Sequence, residues 1–272
     1  MGMDRNGLGR LIADRIKSMH GELSEQFQME GRIPSCYLDD LLPQEAADEV
    51  YRAFPKSSEM IPRHTFREKK HVSAQLNAHD PLIEEVTYAF QQPDVLKAIE
   101  EVTGITSMFP DEQLYAGGLL LMEQGDHVNL HLDNSHDHDR KMYRVVNLLY
   151  YVTPDWQAGS GGHLELWDQG VKRPPRVIHS RFNRLVVMAT GKHSWHSVSE
   201  VLAPVDRRCI ANFYFSPTSV EGQEYFHVSS FRARPSQPFR DLLLRGDTTI
   251  RMGVRKVLKR GLVRTKHIYT KP

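Results

Sequence analysis

The sequence predicts a mainly β, α+β fold in which N-terminal helices pack against a closed or sandwiched β-core. Up to about residue 100, apolar residues recur at helical spacing behind recognisable helix starts. From about Tyr115, short apolar runs broken by Gly, Pro, Asn and Asp follow at even spacing. This spacing is typical of an all-β core rather than of strands alternating with helices. The length of 272 residues, 40% of them apolar, suits one domain with helical additions.

Three helices are predicted in the first hundred residues. Pro43 takes a first-turn position ahead of apolar residues at helical spacing. Asp80 and Pro81 form a cap and a first-turn proline for the second helix. The third begins near Pro93 and ends at Gly104, because glycine adopts the left-handed conformation at little cost.

Seven strands are predicted after residue 115, each a short apolar run bounded by turn-forming residues. The runs are YAGGLLLM, VNLHLD, YRVVNLLYYV, GHLELW, NRLVVMA, SWHSV and RRCIANFYF. Loops are expected at QGD, TPDWQAGSGG and KRPP. We find no internal repeat.

Charge is distributed unevenly although the net charge is only +1. From Arg245 onward there are nine Lys or Arg residues against the single Asp247. The tail has the spacing of a basic amphipathic helix, with apolar Ile250, Val254, Val257 and Leu258 and basic Arg255, Lys256, Lys259 and Arg260. Two interpretations stay open: a solvated helix face, or a surface for an anionic partner.

Cysteine content and the N-terminus bear on location. Cys36 and Cys209 are too few for a disulfide framework, and we expect two small buried thiols. Charged residues are scattered where a secretion signal would be apolar, and Asn6 replaces the Ser or Thr of a myristoylation site. The longest apolar run, 145–152, is far shorter than the roughly 20 residues of a membrane helix. These features predict a cytoplasmic protein with no membrane span.

The most informative pattern is His131-Leu132-Asp133, followed 65 residues later by His196 and then by Arg207. Alternate residues of a strand face the same side, so His131 and Asp133 can reach one ion together. Two imidazoles and one carboxylate can occupy one face of Fe(II) and leave positions open for O2 and an oxo-acid. The pattern therefore predicts oxygenase chemistry.

The segments around these residues resemble the Fe(II)- and 2-oxoglutarate-dependent oxygenases, on the prolyl-4-hydroxylase-like branch. The resemblance covers roughly residues 33–216. It rests on GDHVNLHLD, YRVVNLLYYVTPDW, GGHLELWD, NRLVVMATGKHSWHSVSEV and DRRCIANFYFS. A double-stranded β-helix, or jelly roll, is the fold that it implies.

The resemblance also implies roles for individual residues. The iron ligands would be His131, Asp133 and His196. Arg207 and Tyr151 match the residues that bind the distal carboxylate of 2-oxoglutarate, a task suited to a planar guanidinium. Arg208 competes with Arg207, because neighbouring strand residues face opposite sides and a register shift of one residue would exchange them.

The resemblance implies Fe(II) as cofactor, 2-oxoglutarate and O2 as co-substrates, and ascorbate as a candidate reductant. The expected reaction hydroxylates an unactivated C–H bond of a small metabolite or peptide and releases succinate and CO2. Alternatives are a prolyl hydroxylase acting on a protein, a non-catalytic cupin-type metal-binding jelly roll, and a zinc hydrolase. Nucleic acid is not expected as a substrate, because the β-core shows no basic-aromatic groove.

We expect one catalytic domain with three regions. Residues 1–100 would form a helical region packed on the core, 101–217 the jelly-roll core, and 218–272 an extension with the basic helix. Further candidates have weaker signals: His136 and His138 as a second metal site, or, with Asn134 and Arg140, as part of a substrate-facing lid. Local hydrogen bonding or packing is the simpler interpretation of His127, His163, Glu165, His193, Trp167 and Trp195.

Overall fold

The computed structural model describes residues 3–115, 117–257 and 268–270. Within that part of the chain, five α-helices lie in the first 103 residues and one follows the last strand. Their bounds are α1 Arg5–Ser18, α2 His20–Phe27, α3 Gln44–Ala53, α4 Pro81–Ala89, α5 Pro93–Thr103 and α6 Pro238–Val257. Single 3-10 turns lie at Ser57–Glu59, Leu76–Ala78 and Ala158–Ser160.

The three predicted helices are confirmed as α3, α4 and α5, with the expected signals at their ends. The Asp80 carboxylate accepts a hydrogen bond from the Leu82 N–H, which caps α4, and Pro81 is its first residue. Gly104 ends α5 with a φ of 71°. The sequence analysis did not identify α1 and α2, although Asp4 caps α1 through the Gly7 N–H.

Thirteen strands are present in the described residues. Their bounds are β1 Ser35–Leu38, β2 Ile61–His64, β3 Glu68–Ser73, β4 Phe109–Pro110, β5 Gly118–Met122, β6 His127–Leu132, β7 Tyr143–Tyr151, β8 Leu164–Leu166, β9 Arg176–Ile178, β10 Arg184–Ala189, β11 His196–Val198, β12 Arg207–Ser216 and β13 Ser230–Arg232. All seven predicted runs form strands.

The strands pair antiparallel in the order β1-β10-β7-β12-β5-β3-β6-β11-β8-β9, and the sheet curls into a jelly roll. β2 pairs with β3, β4 with β12 and β13 with β6. The first hundred residues are thus not only helical, since β3 lies between β5 and β6. β3 was missed because its sequence, EKKHVS, begins with three charged residues.

The two faces of the sheet have different partners. One face packs on the N-terminal helices in the main core, which contains Leu8 and Ile83 together with Tyr150. The opposite face encloses a second apolar cluster around Tyr151 and Cys209. Adjacent residues of β7 therefore point in opposite directions, as strand geometry requires. Cys36 and Cys209 are free and buried, as predicted.

The predicted C-terminal helix is present as α6 as far as Val257. α6 packs against β13, where Arg232 forms a two-point ion pair with Asp241, and Asp247 pairs with Arg67 of the β2–β3 connection. The predicted helix residues Leu258, Lys259 and Arg260 lie outside the described residues. In the described part of the chain, no helix combines the length and apolar character needed to cross a membrane.

Candidate active site

His131, Asp133 and His196 come together inside the curled sheet. His131 in β6 and His196 in β11 are directly opposed in the antiparallel register, and Asp133 follows the end of β6. The His131 Nε2 lies 3.7 Å and the His196 Nε2 3.6 Å from the Asp133 carboxylate. These ligand atoms all lie within 4.8 Å of one another, so the three side chains could hold one metal ion.

Backbone carbonyls fix the orientation of both imidazoles. The Nδ1 of His131 bonds to the Asn129 carbonyl at 2.9 Å, and that of His196 to the Ser194 carbonyl at 2.8 Å. Because a carbonyl only accepts, each Nδ1 carries the proton and each Nε2 presents a lone pair to the centre. This is the tautomer that a metal requires.

The electrostatics favour the ligating protonation states. Burial, and then the neighbouring His196, lower the pKa of His131 to about 4. Burial raises the pKa of Asp133, but Arg144, the two histidines and Asn147 outweigh it and hold that pKa below its usual value. At neutral pH the cluster therefore offers an uncharged imidazole at His131 and a carboxylate at Asp133.

Two polar residues of β7 hold the Asp133 carboxylate, and the sequence analysis did not single them out. The Asn147 side-chain amide donates to Asp133 at 2.7 Å, and the Arg144 guanidinium lies 3.5 Å away. Arg144 and Asn147 are three residues apart, so a regular strand would point them to opposite sides. The β7–β12 pairing has a register shift at Tyr214 and Phe215, and this irregularity turns both side chains to the same side. The available signal was their polarity within an otherwise apolar run.

The three ligands line a cavity of about 310 Å³, and Arg207 lines it too. Arg207 is 3% exposed, forms no ion pair among the described residues, and lies 4.8 Å from the Tyr151 ring centre. The Tyr151 hydroxyl is buried and has no well-formed hydrogen bond among the described residues; burial raises its pKa to about 12, although the nearby Arg207 and Ser180 oppose the rise. A buried guanidinium and an unsatisfied hydroxyl fit the distal carboxylate of an oxo-diacid.

The Gly161-Gly162 pair shapes this end of the cavity. Gly162 has a φ of 64°, and a Cβ there would lie 2.7 Å from the Arg207 side chain. At Gly161 a Cβ would lie 2.0 Å from the Glu200 carbonyl. The turn before β8 therefore needs glycine at both positions.

Arg208 does not lie at the cavity. It points to the helical face of the sheet, where it donates to the Tyr51 carbonyl at 3.1 Å and lies near Asp206 at 3.6 Å. Adjacent strand residues alternate faces, so only one of the two arginines could reach the metal cluster. The placement favours Arg207.

The other predicted candidates have local partners. Asn134 lines the cavity, whereas His136 packs on the Tyr143 ring and His138 pairs with Asp139. Arg140 donates to the Arg255 carbonyl of α6.

The weaker candidates outside that loop mostly serve the surrounding structure. The His163 ring contacts His179, the Trp167 indole donates to Ser197, and Glu165 pairs with Arg234. His127 lies near the Gly125 carbonyl, and the Trp195 carbonyl accepts from the Trp167 N–H. His193 bonds through its carbonyl to the Trp195 N–H.

In the described chain, a second group with suitable spacing for a metal ion consists of His64, His71 and Asp126. His136 and His138 belong to neither group, so the geometry gives no support to a second metal site there.

Comparison with known proteins identifies the core. Residues 117–216 match the family described as the 2OG-Fe(II) oxygenase superfamily. Its members use Fe(II) and 2-oxoglutarate with O2, and the donor set of two imidazoles and a carboxylate suits that metal. The recognition made from the sequence motifs is thus confirmed for the oxygenase core.

One curated relative is prolyl 3-hydroxylase OGFOD1 of Mus musculus, 31% identical over 96 residues. The match covers 34% of this chain and spans about a sixth, 17%, of that relative.

Solved structures share the fold of the oxygenase core. A Trichoplax adhaerens prolyl hydroxylase, in complex with a hypoxia inducible factor peptide fragment, is 17% identical with a TM-score of 0.53. The match covers 75% of this chain and 91% of that one. A Pseudomonas putida prolyl-4-hydroxylase is 18% identical with a TM-score of 0.52, and the match covers 73% of this chain and 99% of that one. The predicted jelly-roll fold is confirmed.

Proposed function

We propose that the protein is an Fe(II)- and 2-oxoglutarate-dependent hydroxylase acting on an unactivated C–H bond of a small metabolite or peptide, with release of succinate and CO2. His131, Asp133 and His196 hold the iron, and Arg207 and Tyr151 bind the distal carboxylate of 2-oxoglutarate. Three ligating side chains converge in a cavity that also reaches a buried arginine with no ion-pair partner among the described residues, and this observation best supports the proposal.

The chain's own residues prepare this site. Asn147 and Arg144 orient the carboxylate of Asp133, and the backbone carbonyls keep both Nε2 atoms aimed at the ion. The Arg207 fork and the Tyr151 hydroxyl supply hydrogen bonds for a planar carboxylate. When bound, iron and 2-oxoglutarate supply the redox chemistry that activates O2.

Apolar side chains line part of the cavity next to the metal cluster. Leu120, Leu149 and Leu164 line the cavity beside the ligands. Apolar walls beside the metal limit unproductive reaction with solvent. Such shielding would serve an oxygenase more than a cupin-type binder, which also has no need of the Arg207 subsite.

The relatives are consistent with the proposed substrate range. The mouse relative is named as a prolyl 3-hydroxylase, and the Trichoplax protein was solved with a peptide. Peptide substrates are therefore part of the proposal together with small metabolites. The predicted cytoplasmic location stays a prediction, to be checked by cell fractionation.

The ligand assignment is tested by replacing His131 or Asp133 with Ala. Each variant should lose iron retention and substrate-independent succinate release, while His20→Ala on the exposed side of α2 should retain both. Anaerobic addition of 2-oxoglutarate to the iron-loaded protein should produce a weak visible charge-transfer band. A protein that binds iron but gives neither the band nor succinate would contradict the proposal.

The co-substrate assignment is tested by comparing Arg207→Ala with Arg208→Ala. Loss of a buried charged hydrogen-bonding partner costs about 2 kcal/mol or more, so Arg207→Ala should raise the KM for 2-oxoglutarate by about 30-fold or more. Iron affinity should be retained in this variant. Arg208→Ala should leave the KM within about twofold, because its guanidinium lies on the helical face. The reverse pattern would exchange the two roles.

A further inference from the structure

The cavity has a strongly basic lining. Of the side chains that line it, six are basic and two are acidic: Arg63, Arg67, Lys70, Arg144, Arg207 and Arg251 against Glu68 and Asp133. The chain as a whole has nearly equal numbers of basic and acidic residues. The cavity lining therefore carries a local excess of positive charge.

The basic residues fall into an inner pair and an outer group. Arg144 faces Asp133, and Arg207 is in the proposed 2-oxoglutarate subsite, and both are buried. The side chains of Arg67 and Arg251 are each 27% exposed. This difference in exposure places the outer group at the mouth of the cavity. We call Arg63, Arg67 and Arg251 the basic rim.

The counter-charges of the basic rim are incomplete. Arg67 and Arg251 each donate through Nε to the same oxygen of Asp247, at 2.9 Å in both cases. Arg63 forms no ion pair within the described residues, and Lys70 beside it is already paired with Glu68 at 2.9 Å. Arg67 and Arg251 therefore share one carboxylate, and Arg63 has no carboxylate of its own within ion-pair distance in the described residues.

The environment of Arg251 reflects this imbalance. Burial, and then the charge of Arg67, lower the pKa of Arg251, while Asp247 opposes the change. Like charges held together in a partly buried site favour the binding of an anion. The rim is also built from two distant segments, the β2–β3 hairpin and α6, which are joined through Asp247.

We propose that the substrate carries an oxyanionic group, with about two negative charges, that binds at the basic rim while the carbon to be oxidised lies at the metal end. The inference rests on the proposed function and names the substrate class of the same site. A phosphate monoester and a pair of carboxylates share this chemistry, and arginine forks suit both. A cavity of about 310 Å³ suits a small molecule or a single side chain of a peptide.

The test uses the metal-loaded protein saturated with 2-oxoglutarate and titrated in a calorimeter. The probes are glycerol 3-phosphate, tricarballylate and neutral glycerol. Both anions should bind, more weakly as NaCl rises, and glycerol should not. Whichever of the two anions binds more tightly shows whether the rim prefers a phosphate or carboxylates. Equal binding of glycerol would overturn the inference.

Variants locate the binding at the rim. Arg63→Gln and Arg251→Gln should each weaken anion binding about tenfold, equivalent to about 1.4 kcal/mol. Arg63→Lys keeps the charge and should retain most of the affinity. Arg181→Gln removes the same charge from an exposed residue that pairs with Asp39, and should bind anions like the unmodified protein. Rim variants that behave like Arg181→Gln would refute the inference.

The two proposals can fail separately. Calorimetric anion binding needs no turnover, so Arg63-dependent binding without any succinate release would contradict the hydroxylase function and leave the anion site intact. Succinate release without anion binding would contradict the anion site and leave the hydroxylase function intact. Thermal unfolding of each variant identifies any loss of fold.

Discussion

At the scale of single residues, the orientation of Asp133 depends most directly on Asn147. The side-chain Nδ2 of Asn147 donates to Asp133 at 2.7 Å, and the side-chain Oδ1 of Asn147 is buried with no hydrogen-bond partner among the described residues. Hydrogen bonds to a ligating carboxylate set its direction and its basicity. Asn147 is therefore a positioning residue for the proposed metal site.

Replacing Asn147 should weaken metal binding without removing a ligand. For Asn147→Ala we expect the affinity for Fe(II), titrated anaerobically, to fall about 10- to 100-fold, the usual effect of losing such a partner. Asn147→Asp should be worse, because it places a second carboxylate against Asp133. Asn77→Ala, at an exposed position, is the control. Unchanged affinity in Asn147→Ala would show that Arg144 alone suffices.

At the scale of elements, the turn before β8 controls the position of Arg207 on β12. Gly162 lies against Arg207, Val201 and Trp156, at distances that leave no room for a methyl group. Gly159 lies three residues earlier in the same loop, and a Cβ added there would have no atom within 4 Å. The loop thus offers a matched pair of positions.

We expect Gly162→Ala to raise the KM for 2-oxoglutarate at least tenfold while iron affinity stays within about threefold. The added methyl group would displace the Arg207 side chain, and the left-handed backbone adds strain of the order of 1 kcal/mol. Gly159→Ala should leave the KM unchanged. Steady-state succinate release over a range of 2-oxoglutarate concentrations makes the comparison. Equal KM values for the two variants would mean that Arg207 is not part of the co-substrate site.

Prediction from sequence succeeded for elements with local signals. Capping and proline positions located α4 and α5, and alternating apolar runs located β6, β7 and β12. β3 lacks such a signal because its Glu68 and Lys70 face the cavity and pair with each other. A strand whose inward side chains are charged resembles a loop when the sequence is read alone.

At the scale of the whole molecule, one buried carboxyl should influence the pH dependence of stability. Asp111 is buried in the segment between β4 and β5, and its Oδ2 has no hydrogen-bond partner in the part of the chain that the structure describes. Burial raises the pKa of Asp111 to about 6, although Arg144 and two backbone N–H groups oppose it. The native state therefore holds this proton more tightly than the unfolded chain.

The sign follows from linkage. Below about pH 4 the Asp111 carboxyl is protonated in both the folded and the unfolded state, so its raised pKa does not change the free energy of unfolding. Between about pH 4 and 6 the raised pKa lowers the free energy of unfolding by an increasing amount. Asp111→Asn should therefore be about as stable as the unmodified protein at pH 4 and more stable at pH 7, by up to about 3 kcal/mol. Urea unfolding of both proteins across this range measures the difference. A stability difference that does not change with pH would contradict the raised pKa.

The sequence by itself determined the chemistry that the site can offer. The alternation of strand residues puts His131 and Asp133 on one side, and the run of motifs around them identified the oxygenase core, because both signals are local. The sequence also named Arg207, while leaving Arg208 as an alternative that only the observed strand register could separate.

The tertiary structure alone decided what surrounds these residues. The pairing of β6 with β11 sets His196 opposite His131, the register shift in β7 turns Arg144 and Asn147 toward Asp133, and α6 brings Arg251 beside Arg67. Each of these contacts joins distant segments. Register and docking depend on the packing of the whole sheet, so no local pattern of residues encodes them.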